Sequence, residues 1–432
     1  MHEDLKIIKN GFDQIAAAKG KEKVAVIQRV CAEDHRVSES LILLLHPLVK
    51  FGIKEKSLNK KVRVQADKNY MYLLDVCQDL ASKYSITNQD IANVQKYLSA
   101  LLIPELKDFA QKYLTKSIRL GADAATVNKA FGKEVIPSFP CMLAKKYIDC
   151  QSALQGKGFT VTEKLDGIRC LAIIKSDQVL LISRQGQLID GLVEIERELS
   201  YLRKRTDGDF VLDGELLVSD REGFPSKDQY KNTIMIVRKD GRKEGITYNV
   251  FDFLPLYEYE RRVGKLPYWS RRNYLHQIVQ RTIFVKPLPI LYTGKDVSVI
   301  DELLAAQRRM NHEGIMINLN NSTYKFGRTD VLLKYKVMQD VDLEIIDMQE
   351  GNGKYAGSLG ALIVDYKGTP VGVGSGMSNE EREEMWRHKE DYIGRVVKVQ
   401  YFEETHGDDG LPSLRFPVFL ELCEPGKEVS YN

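Results

Sequence analysis

The sequence predicts a multidomain protein of the α and α+β classes, with a helical N-terminal domain, a mixed α/β domain and a small C-terminal β-barrel. Apolar residues recur at helical spacing in the first part of the chain, and short apolar runs alternate with helical patterns in the middle. Closely spaced glycines separate short strands in the last part. Since a chain of 432 residues usually forms about three domains, we predict domains at residues 1–131, 132–337 and 338–432.

The N-terminal domain is predicted to be helical because its apolar residues lie three and four positions apart. Leu5, Ile8, Phe12 and Ile15 form the first such series. Residues 1–130 also carry 21 Lys and Arg against 15 Asp and Glu, a balance of +6, whereas the rest of the chain has a balance of −3. This excess indicates a polyanionic partner, although a solvated helical surface explains it equally well.

The middle domain is predicted to mix strands and helices. The predicted strands are rich in Val, Ile, Leu, Phe and Tyr and cover residues 179–183, 210–218, 248–253, 314–319 and 331–337. Helical patterns alternate with them at residues 193–203, 271–279 and 300–311.

The C-terminal domain is predicted to be a small β-barrel of the OB type. Its short strands are separated by glycines between Gly351 and Gly376, and its predicted helix begins at a capping box of Ser378 and Glu381. Short strands with a single helix over residues 338–432 suit that fold.

The strongest candidate for chemistry is the segment 163–169, which reads Glu-Lys-Leu-Asp-Gly-Ile-Arg. Lys164 lies within an otherwise apolar, strand-like run, so its amine is predicted to be partly desolvated. A lysine amine in such surroundings can act as a nucleophile. The spacing of lysine, aspartate and glycine is weak evidence alone, because three fixed residues also recur by chance.

Acidic side chains on two predicted strands indicate a metal or ligand site. Asp213 and Glu215 lie two apart in an apolar run and therefore share one face of the strand. Such carboxylates need a cation, a metal ion or a ligand hydroxyl, unless the strand is a solvent-facing edge. Glu313 directly precedes the apolar run 314–317 and places another acid at the end of a buried strand.

Two lysines and an aromatic residue complete this set. Lys334 and Lys336 share one strand face, where two ammonium groups suit the oxygens of a triphosphate. Phe251 can stack on a base, although a core aromatic is the commoner explanation. A lysine nucleophile, carboxylates for Mg²⁺, an aromatic face and paired lysines together favour attack on the α-phosphate of a nucleotide. The lysine would become a phosphoramidate as pyrophosphate leaves.

In these motifs the chain resembles the ATP-dependent DNA ligases of the covalent nucleotidyltransferase superfamily. The motifs stand in the family's order from Lys164 to Lys336, and the likeness extends over almost the whole chain. It implies an ATP-grasp-like nucleotidyltransferase fold for the middle domain. It also implies a DNA-binding role for the helical domain, as in phage-type and larger ligases, and an OB-fold for the C-terminal domain. ATP is then the co-substrate, Mg²⁺ the cofactor and nicked double-stranded DNA the polymer that is sealed.

The resemblance also implies a role for each motif residue. Lys164 is expected to take AMP from ATP. The other residues of the nucleotide site are Thr162 at the adenine amine, Arg169 and Glu215 at the ribose, Phe251 on the adenine ring, and Lys334 with Lys336 at the α-phosphate. Glu215 and Glu313 are expected to bind the metal ion, and Arg184, in the segment 183–186, the 5′-phosphate at the nick.

Arg415 lies in the segment 413–417, Ser-Leu-Arg-Phe-Pro, which resembles the start of the family's last motif. Many relatives continue with Arg-x-Asp-Lys, whereas this chain has Leu-Cys-Glu-Pro-Gly-Lys at 422–427. The resemblance assigns Arg415 and Lys427 to orientation of the pyrophosphate.

Other enzymes of the superfamily remain alternatives. An RNA ligase and an mRNA-capping guanylyltransferase share the nucleophile, the metal acids and the paired lysines, but the helical domain joined to an OB-type barrel favours a DNA ligase. NAD-dependent ligases usually carry a cysteine-rich zinc module, and the six cysteines here form no Cys-x-x-Cys pair. A non-catalytic nucleic-acid clamp is disfavoured because the catalytic motif residues are present. The sequence shows neither a signal peptide nor a long apolar run, so we expect an intracellular monomer with no membrane segment.

Overall fold

The computed structural model describes residues 2–83, 85–219, 226–239, 241–407 and 410–431. Within these ranges no helix has both the length and the apolar character that crossing a bilayer requires. The chain divides into two compact units, of which the first comprises residues 1–140 and 182–188 and the second residues 141–181 and 189–432. The helical region falls in the first unit, and the mixed α/β and glycine-rich regions fall in the second.

Helices build the first unit. They are α1 (His2–Ala17), α2 (Glu22–Glu33), α3 (His35–Leu45), α4 (Glu55–Leu58), α5 (Leu73–Ala81), α6 (Asn88–Ser99), α7 (Pro104–Leu114) and α8 (Ala124–Phe131). The apolar series Leu5, Ile8, Phe12 and Ile15 on α1 is buried in the core, each residue being at most 1% exposed. The helical spacing therefore identified the core-facing side of α1.

Two five-stranded sheets form the mixed α/β part of the chain. Their strands are β1 (Met142–Lys146), β2 (Phe159–Glu163), β3 (Ile168–Ile174), β4 (Val179–Ser183), β5 (Phe210–Val218), β6 (Ile246–Pro255), β7 (Val285–Pro287), β8 (Ile290–Gly294), β9 (Gly314–Leu319) and β10 (Gly327–Lys336). The first sheet has the order β1-β10-β9-β2-β8, and the second has the order β4-β3-β5-β6-β7. The helices of this part are α9 (Val193–Lys204), α10 (Ser226–Val237), α11 (Leu256–Glu260), α12 (Tyr268–Ile278) and α13 (Val299–Arg309), with a 3₁₀ helix at Ile148–Leu154.

Strands β4, β5, β6, β9 and β10 and helices α9, α12 and α13 lie where the sequence predicts them, and β2 and β3 lie in the strand-like run around Lys164. Strands β1, β7 and β8 and helices α11 and α10 are not predicted, and α10 shows why a helix can be missed. Among the side chains that this helix buries are the polar groups of Gln229 and Thr233. The Thr233 hydroxyl donates to the carbonyl of Gln229 at 2.6 Å and accepts from the N–H of Val218 at 3.1 Å. Because polar residues fill buried positions of α10, the helix lacks the apolar period that reveals the others.

The C-terminal part forms an antiparallel barrel of the OB type, as predicted. Its strands are β11 (Gln339–Glu350), β12 (Leu359–Tyr366), β13 (Thr369–Val373), β14 (Val396–Tyr401), β15 (Glu403–His406), β16 (Pro412–Arg415), β17 (Val418–Leu422) and β18 (Ser430–Tyr431). The main sheet has the order β13-β12-β11-β14-β17, β18 pairs with β11, and β15 pairs with β16. Helices α14 (Asn379–Arg387) and α15 (Lys389–Tyr392) and a 3₁₀ helix at Gly353–Tyr355 complete it. The predicted capping box opens α14: Ser378 Oγ accepts from the N–H of Glu381 at 3.1 Å, and the Glu381 carboxylate accepts from the N–H of Ser378 at 2.7 Å.

Gly214 on the central strand β5 has no room for a side chain. A Cβ there would lie 2.6 Å from the Tyr248 ring and 2.7 Å from the carbonyl oxygen of Asn249. We expect Gly214→Ala to lower the free energy of unfolding of the second unit by about 1–3 kcal/mol, which is the usual cost of overpacking. Urea denaturation of the variant beside the parent protein measures this loss.

Gly372→Ala is the matched control, because Gly372 also lies in a strand and its Cβ would meet only Ile363, at 3.9 Å. Equal destabilisation by the two substitutions would contradict the steric explanation.

Candidate active site

Lys164 lies where the chain crosses from one sheet to the other. It directly follows β2 of the first sheet, and β3 of the second sheet begins at Ile168. The backbone N–H of Lys164 donates to the carbonyl of Gly314 at 2.8 Å. Gly167 permits this crossing because a Cβ there would lie 2.4 Å from the carbonyl oxygen of Leu216 on β5. The proposed nucleophile is therefore held between the two sheets.

The Glu313 carboxylate holds two of the lysines that the sequence singles out. It is 3% exposed, forms an ion pair with the Lys164 ammonium and lies 2.8 Å from Lys336 Nζ. Gly314 allows this arrangement, since its φ is +145° and a Cβ there would lie 2.2 Å from the carbonyl oxygen of Tyr335 on β10. A buried carboxylate needs cationic partners, and the end of β9 places this one between two of them.

Thr162 and Lys334 face the same side of the first sheet. Thr162 on β2 and Lys334 on β10 each lie directly opposite Met316 of β9. Directly opposed residues on neighbouring strands share a face. Thr162 is buried, whereas Lys334 is half-buried, and burial together with the charge of Lys336 lowers the pKa of Lys334. The sheet register thus brings both residues to the face that carries the predicted phosphate-binding lysines.

In the second sheet, Asp213 is fully buried and paired with Arg169. Arg169 Nε and Nη2 donate to the two carboxylate oxygens at 2.5 and 2.6 Å. The Tyr324 hydroxyl donates to the same carboxylate at 2.6 Å and accepts from the N–H of Met142 at 2.9 Å. Because β5 lies at the centre of its sheet, the alternative of a solvent-facing edge strand is excluded.

Glu215 lies directly opposite Arg169 of the neighbouring strand β3. Burial raises the pKa of the Glu215 carboxyl to about 7, although the positive charges of Arg169 and Lys164 oppose the rise. The carboxyl is therefore only partly ionised near neutral pH. A divalent cation bound beside it would favour the ionised form.

Phe251 lies beside Arg169, whose guanidinium carbon is 4.7 Å from the centre of the ring. The ring packs against Leu165, Leu217 and Leu288 and stays partly exposed. Phe251 therefore belongs to a small apolar cluster next to the Lys164 segment, apart from the main core of the second sheet.

Arg415, at the end of β16, reaches the segment 163–169 that contains Lys164. Its Nη1 donates to one oxygen of Asp166 and to one oxygen of Glu403, at 2.6 Å each. Asp166 lies two residues after Lys164, so the barrel contributes a guanidinium beside the crossing between the sheets.

Lys427 and Arg184 are the two other residues to which the resemblance assigns a contact with substrate. The Lys427 ammonium pairs with the carboxylate of Asp342 on β11 at 3.2 Å. Arg184 belongs to the first unit and is exposed in a turn that the N–H of Ser183 closes by donating to the carbonyl of Gln187 at 2.8 Å.

Sequence reasoning missed Tyr324 and Glu403. The contact of Tyr324 with Asp213 joins residues 111 positions apart, and Glu403 acts through Arg415, which in turn meets Asp166 249 positions away. A single residue in a loop or a short strand gives neither a period nor a motif, so no local signal could have found these contacts.

The described part of the chain contains no group of three or more His, Cys, Asp and Glu side chains arranged to hold a metal ion. Glu215 and Glu313 are the two carboxylates that the sequence assigns to a metal. Mg²⁺ is commonly bound through one or two carboxylates, with substrate phosphates and water completing its shell. This donor set therefore fits Mg²⁺ that arrives with a nucleotide.

The raised pKa of Glu215 predicts how stability changes with pH. Between its ordinary value of 4.5 and about 7, the folded chain binds more protons at this carboxyl than the unfolded chain does. The free energy of unfolding should therefore fall as pH rises through this window. We expect Glu215→Gln to remove that part of the pH dependence.

Urea denaturation of both proteins at several pH values from 5 to 8 tests this expectation. Parallel curves for the parent and for Glu215→Gln would show that Glu215 does not titrate in this window.

Solved structures share this fold. The structure named Pmar-Lig_PreS3 has a TM-score of 0.65 at 24% identity, covering 97% of this chain and 99% of that chain. A structure of the Lig E DNA ligases has a TM-score of 0.50 at 23% identity, covering 66% of this chain and 100% of that chain. At these identities the likeness shows the fold alone.

Named relatives and family models agree with the motifs. A DNA ligase of Thermococcus fumicolans is 28% identical over 351 residues, covering 72% of this chain and 60% of that protein. The DNA ligase of Enterobacteria phage T4 is 23% identical over 367 residues, covering 73% of this chain and 74% of that protein. The chain thus spans less than two thirds of the length of the Thermococcus fumicolans protein, and the same holds for two other DNA ligases that it matches.

Residues 141–336 match the family model of the ATP dependent DNA ligase domain, and residues 350–422 match that of the DNA ligase OB-like domain. These matches cover more than half of the chain, which therefore belongs to the ATP-dependent DNA ligase family.

Proposed function

We propose that this chain is an ATP-dependent DNA ligase that seals nicks between a 5′-phosphate and a 3′-hydroxyl in duplex DNA. Lys164 would carry AMP as the covalent intermediate. We also expect an intracellular monomer whose partners are ATP and nicked DNA.

The observation that carries this proposal is the contact of Glu313 with Lys164 and Lys336. An amine between two sheets, beside a buried carboxylate and a second ammonium, suits attack on a phosphate whose charge must be balanced. The carboxylate balances both cations. Phosphate oxygens of ATP would compete with Glu313 for Lys336 and for Lys334 nearby.

In the first step, the Lys164 ammonium would release a proton to solvent, and the resulting amine would attack the α-phosphorus of ATP. A bond forms between Nζ and this phosphorus, and the bond from the phosphorus to the bridging oxygen of the β-phosphate breaks. Pyrophosphate leaves with the bonding electrons, and the nitrogen releases a second proton to solvent. Lys334 and Lys336 would place positive charge next to the oxygens on which negative charge develops.

Other residues would orient the nucleotide. Thr162, on the face that carries the lysines, would meet the adenine amine, and Phe251 would pack against the adenine ring. Arg169, fixed by its two bonds to Asp213, would lie on the ribose side. Glu215 and Glu313 would hold Mg²⁺, which offsets charge on the phosphate oxygens.

The remaining steps would use the same pocket. An oxygen of the 5′-phosphate attacks the α-phosphorus, the nitrogen–phosphorus bond breaks and Lys164 regains both protons. The 3′-hydroxyl then attacks the 5′-phosphorus, AMP leaves and the strand is joined. We assign Arg184, exposed in its turn, to the 5′-phosphate at the nick.

Lys164→Ala should abolish transfer of AMP to the protein, because it removes the amine that is proposed to form the phosphoramidate. Binding to nicked duplex DNA should persist, since the first unit is unchanged. Incubation with radiolabelled ATP, followed by denaturing electrophoresis, measures the transfer. A band shift measures DNA binding.

Lys157→Ala is the control, because Lys157 is an exposed lysine that precedes the same strand. Labelling of Lys164→Ala at the rate of this control would refute Lys164 as the nucleophile.

Deletion of residues 1–130 tests the proposed DNA-binding role of the helical region. This region carries the balance of +6, so its removal should raise the DNA concentration needed for sealing and flatten the dependence on salt. Self-adenylylation should continue, because Lys164 and its partners lie in the second unit. Sealing assays over a range of salt concentrations measure both effects, and an unchanged salt slope would rule out this region as the main contact with DNA phosphates.

A further inference from the structure

Three aromatic rings surround the guanidinium of Arg415. Its central carbon lies 5.0 Å from the ring centre of Tyr230, 5.3 Å from that of Phe402 and 5.1 Å from that of Phe416. Phe402 and Phe416 come from the barrel, whereas Tyr230 comes from α10, which packs on the second sheet. We call Tyr230, Phe402 and Phe416 the aromatic cage.

Two carboxylates bind the same guanidinium. Asp166 and Glu403 accept from Arg415 at 2.6 Å each. A guanidinium donates hydrogen bonds within its plane and stacks through its faces, so carboxylates and rings can hold it at the same time. Asp166 and Tyr230 lie outside the barrel. These two residues therefore connect Arg415 to the part of the unit that contains Lys164.

Two rings of the aromatic cage also contact Lys336. Lys336 Nζ lies 5.2 Å from the ring centre of Phe402 and 5.0 Å from that of Phe416. Lys336 in turn binds Glu313, the partner of Lys164. Direct contacts thus link the barrel, through Lys336, to Glu313, which is the carboxylate that pairs with Lys164.

Phe416 adopts an unfavourable backbone conformation in this arrangement. Its φ is +55°, which residues other than glycine rarely adopt, and the residue is 58% exposed. Burial of the Phe416 side chain therefore gives little compensation for its backbone conformation. In this conformation the Phe416 ring contacts two cations, the Arg415 guanidinium and the Lys336 ammonium.

We propose that Tyr230 is a positioning residue for nucleotide transfer: through the aromatic cage it holds Arg415 over the site while Lys164 takes AMP from ATP. The inference rests on the proposed function and on the role at the pyrophosphate that the resemblance implies for Arg415. Pyrophosphate leaves only in the first step. In the joining step AMP leaves instead, so a residue that acts by placing Arg415 affects the first step and spares the last.

Tyr230→Leu tests this role, because leucine keeps apolar bulk but has no ring face for the guanidinium. We expect the rate of AMP transfer to Lys164 at limiting ATP to fall by roughly two- to thirtyfold, the range that cation–π contacts span. Discharge of AMP from the protein by added pyrophosphate should slow by the same factor, since it is the reverse of the same step. Joining of a nick that already carries AMP on its 5′-phosphate should keep the parent rate.

Two variants serve as controls. Tyr230→Phe keeps the ring and should restore the parent rate of AMP transfer. Tyr201→Leu removes a tyrosine from a second arginine–tyrosine pair, in which the Arg205 guanidinium carbon lies 5.4 Å from the ring centre. Tyr201 lies on α9 and Arg205 directly follows that helix, and loss of this pair should leave AMP transfer unchanged.

The outcomes separate the inference from the proposed function. If Tyr230→Leu transfers AMP at the parent rate, or if it slows transfer and joining by the same factor, Tyr230 is not a positioning residue for the first step. If Tyr230→Phe is as slow as Tyr230→Leu, the ring face is not the cause. A parent protein that neither takes AMP nor joins a pre-adenylylated nick would instead overturn the proposed function.

Discussion

The Glu313 carboxylate, buried between the ammonium groups of Lys164 and Lys336, is the interaction on which the site depends. Each partner comes from a different strand or strand end of the first sheet, so this contact exists only when β2, β9 and β10 are in register. A buried charge without its partner costs several kcal/mol, on the order of 3–5. The fold therefore cannot place the carboxylate without also placing both lysines, and the chemistry depends on the same ion pairs as the stability of the sheet.

Glycine makes that arrangement sterically possible at two points. At Gly167 and at Gly314 a methyl group would lie within 2.4 Å of a carbonyl oxygen, on β5 in one case and on β10 in the other. Any larger residue would push the nucleophile segment away from the second sheet or the end of β9 away from β10. The positions of the reactive side chains are thus set by close backbone contacts, which side-chain chemistry alone does not reveal.

Local patterns predicted much of this molecule. Helical spacing identified the buried side of α1, and the motif spacing found Lys164, Glu313 and the lysine pair, which the register brings together. Local patterns could not predict which charges neutralise one another. Asp213 meets Arg169 and Tyr324, and Arg415 meets Asp166, only because distant strands are adjacent in space. Helix α10 was missed because it buries polar side chains and therefore shows no apolar period in the sequence. The roles of all the assigned residues toward substrate and metal stay predictions: Lys164, Thr162, Arg169, Arg184, Glu215, Phe251, Glu313, Lys334, Lys336 and Arg415.

Tyr324 and Arg169 fasten the two sheets to each other at Met142 and Asp213. Tyr324 accepts from the N–H of Met142 on the first sheet and donates to Asp213 on the second, while Arg169 binds Asp213 and also donates to the carbonyl of Met142 at 3.2 Å. Widening the space between the sheets would break the hydrogen bond from Tyr324 to the buried Asp213 carboxylate and the one from Arg169 to the Met142 carbonyl, so this space acts as a slot of fixed width. A molecule that enters between the sheets must therefore match this width. The same hydrogen bonds that join the two sheets thus also select the ligand by its thickness.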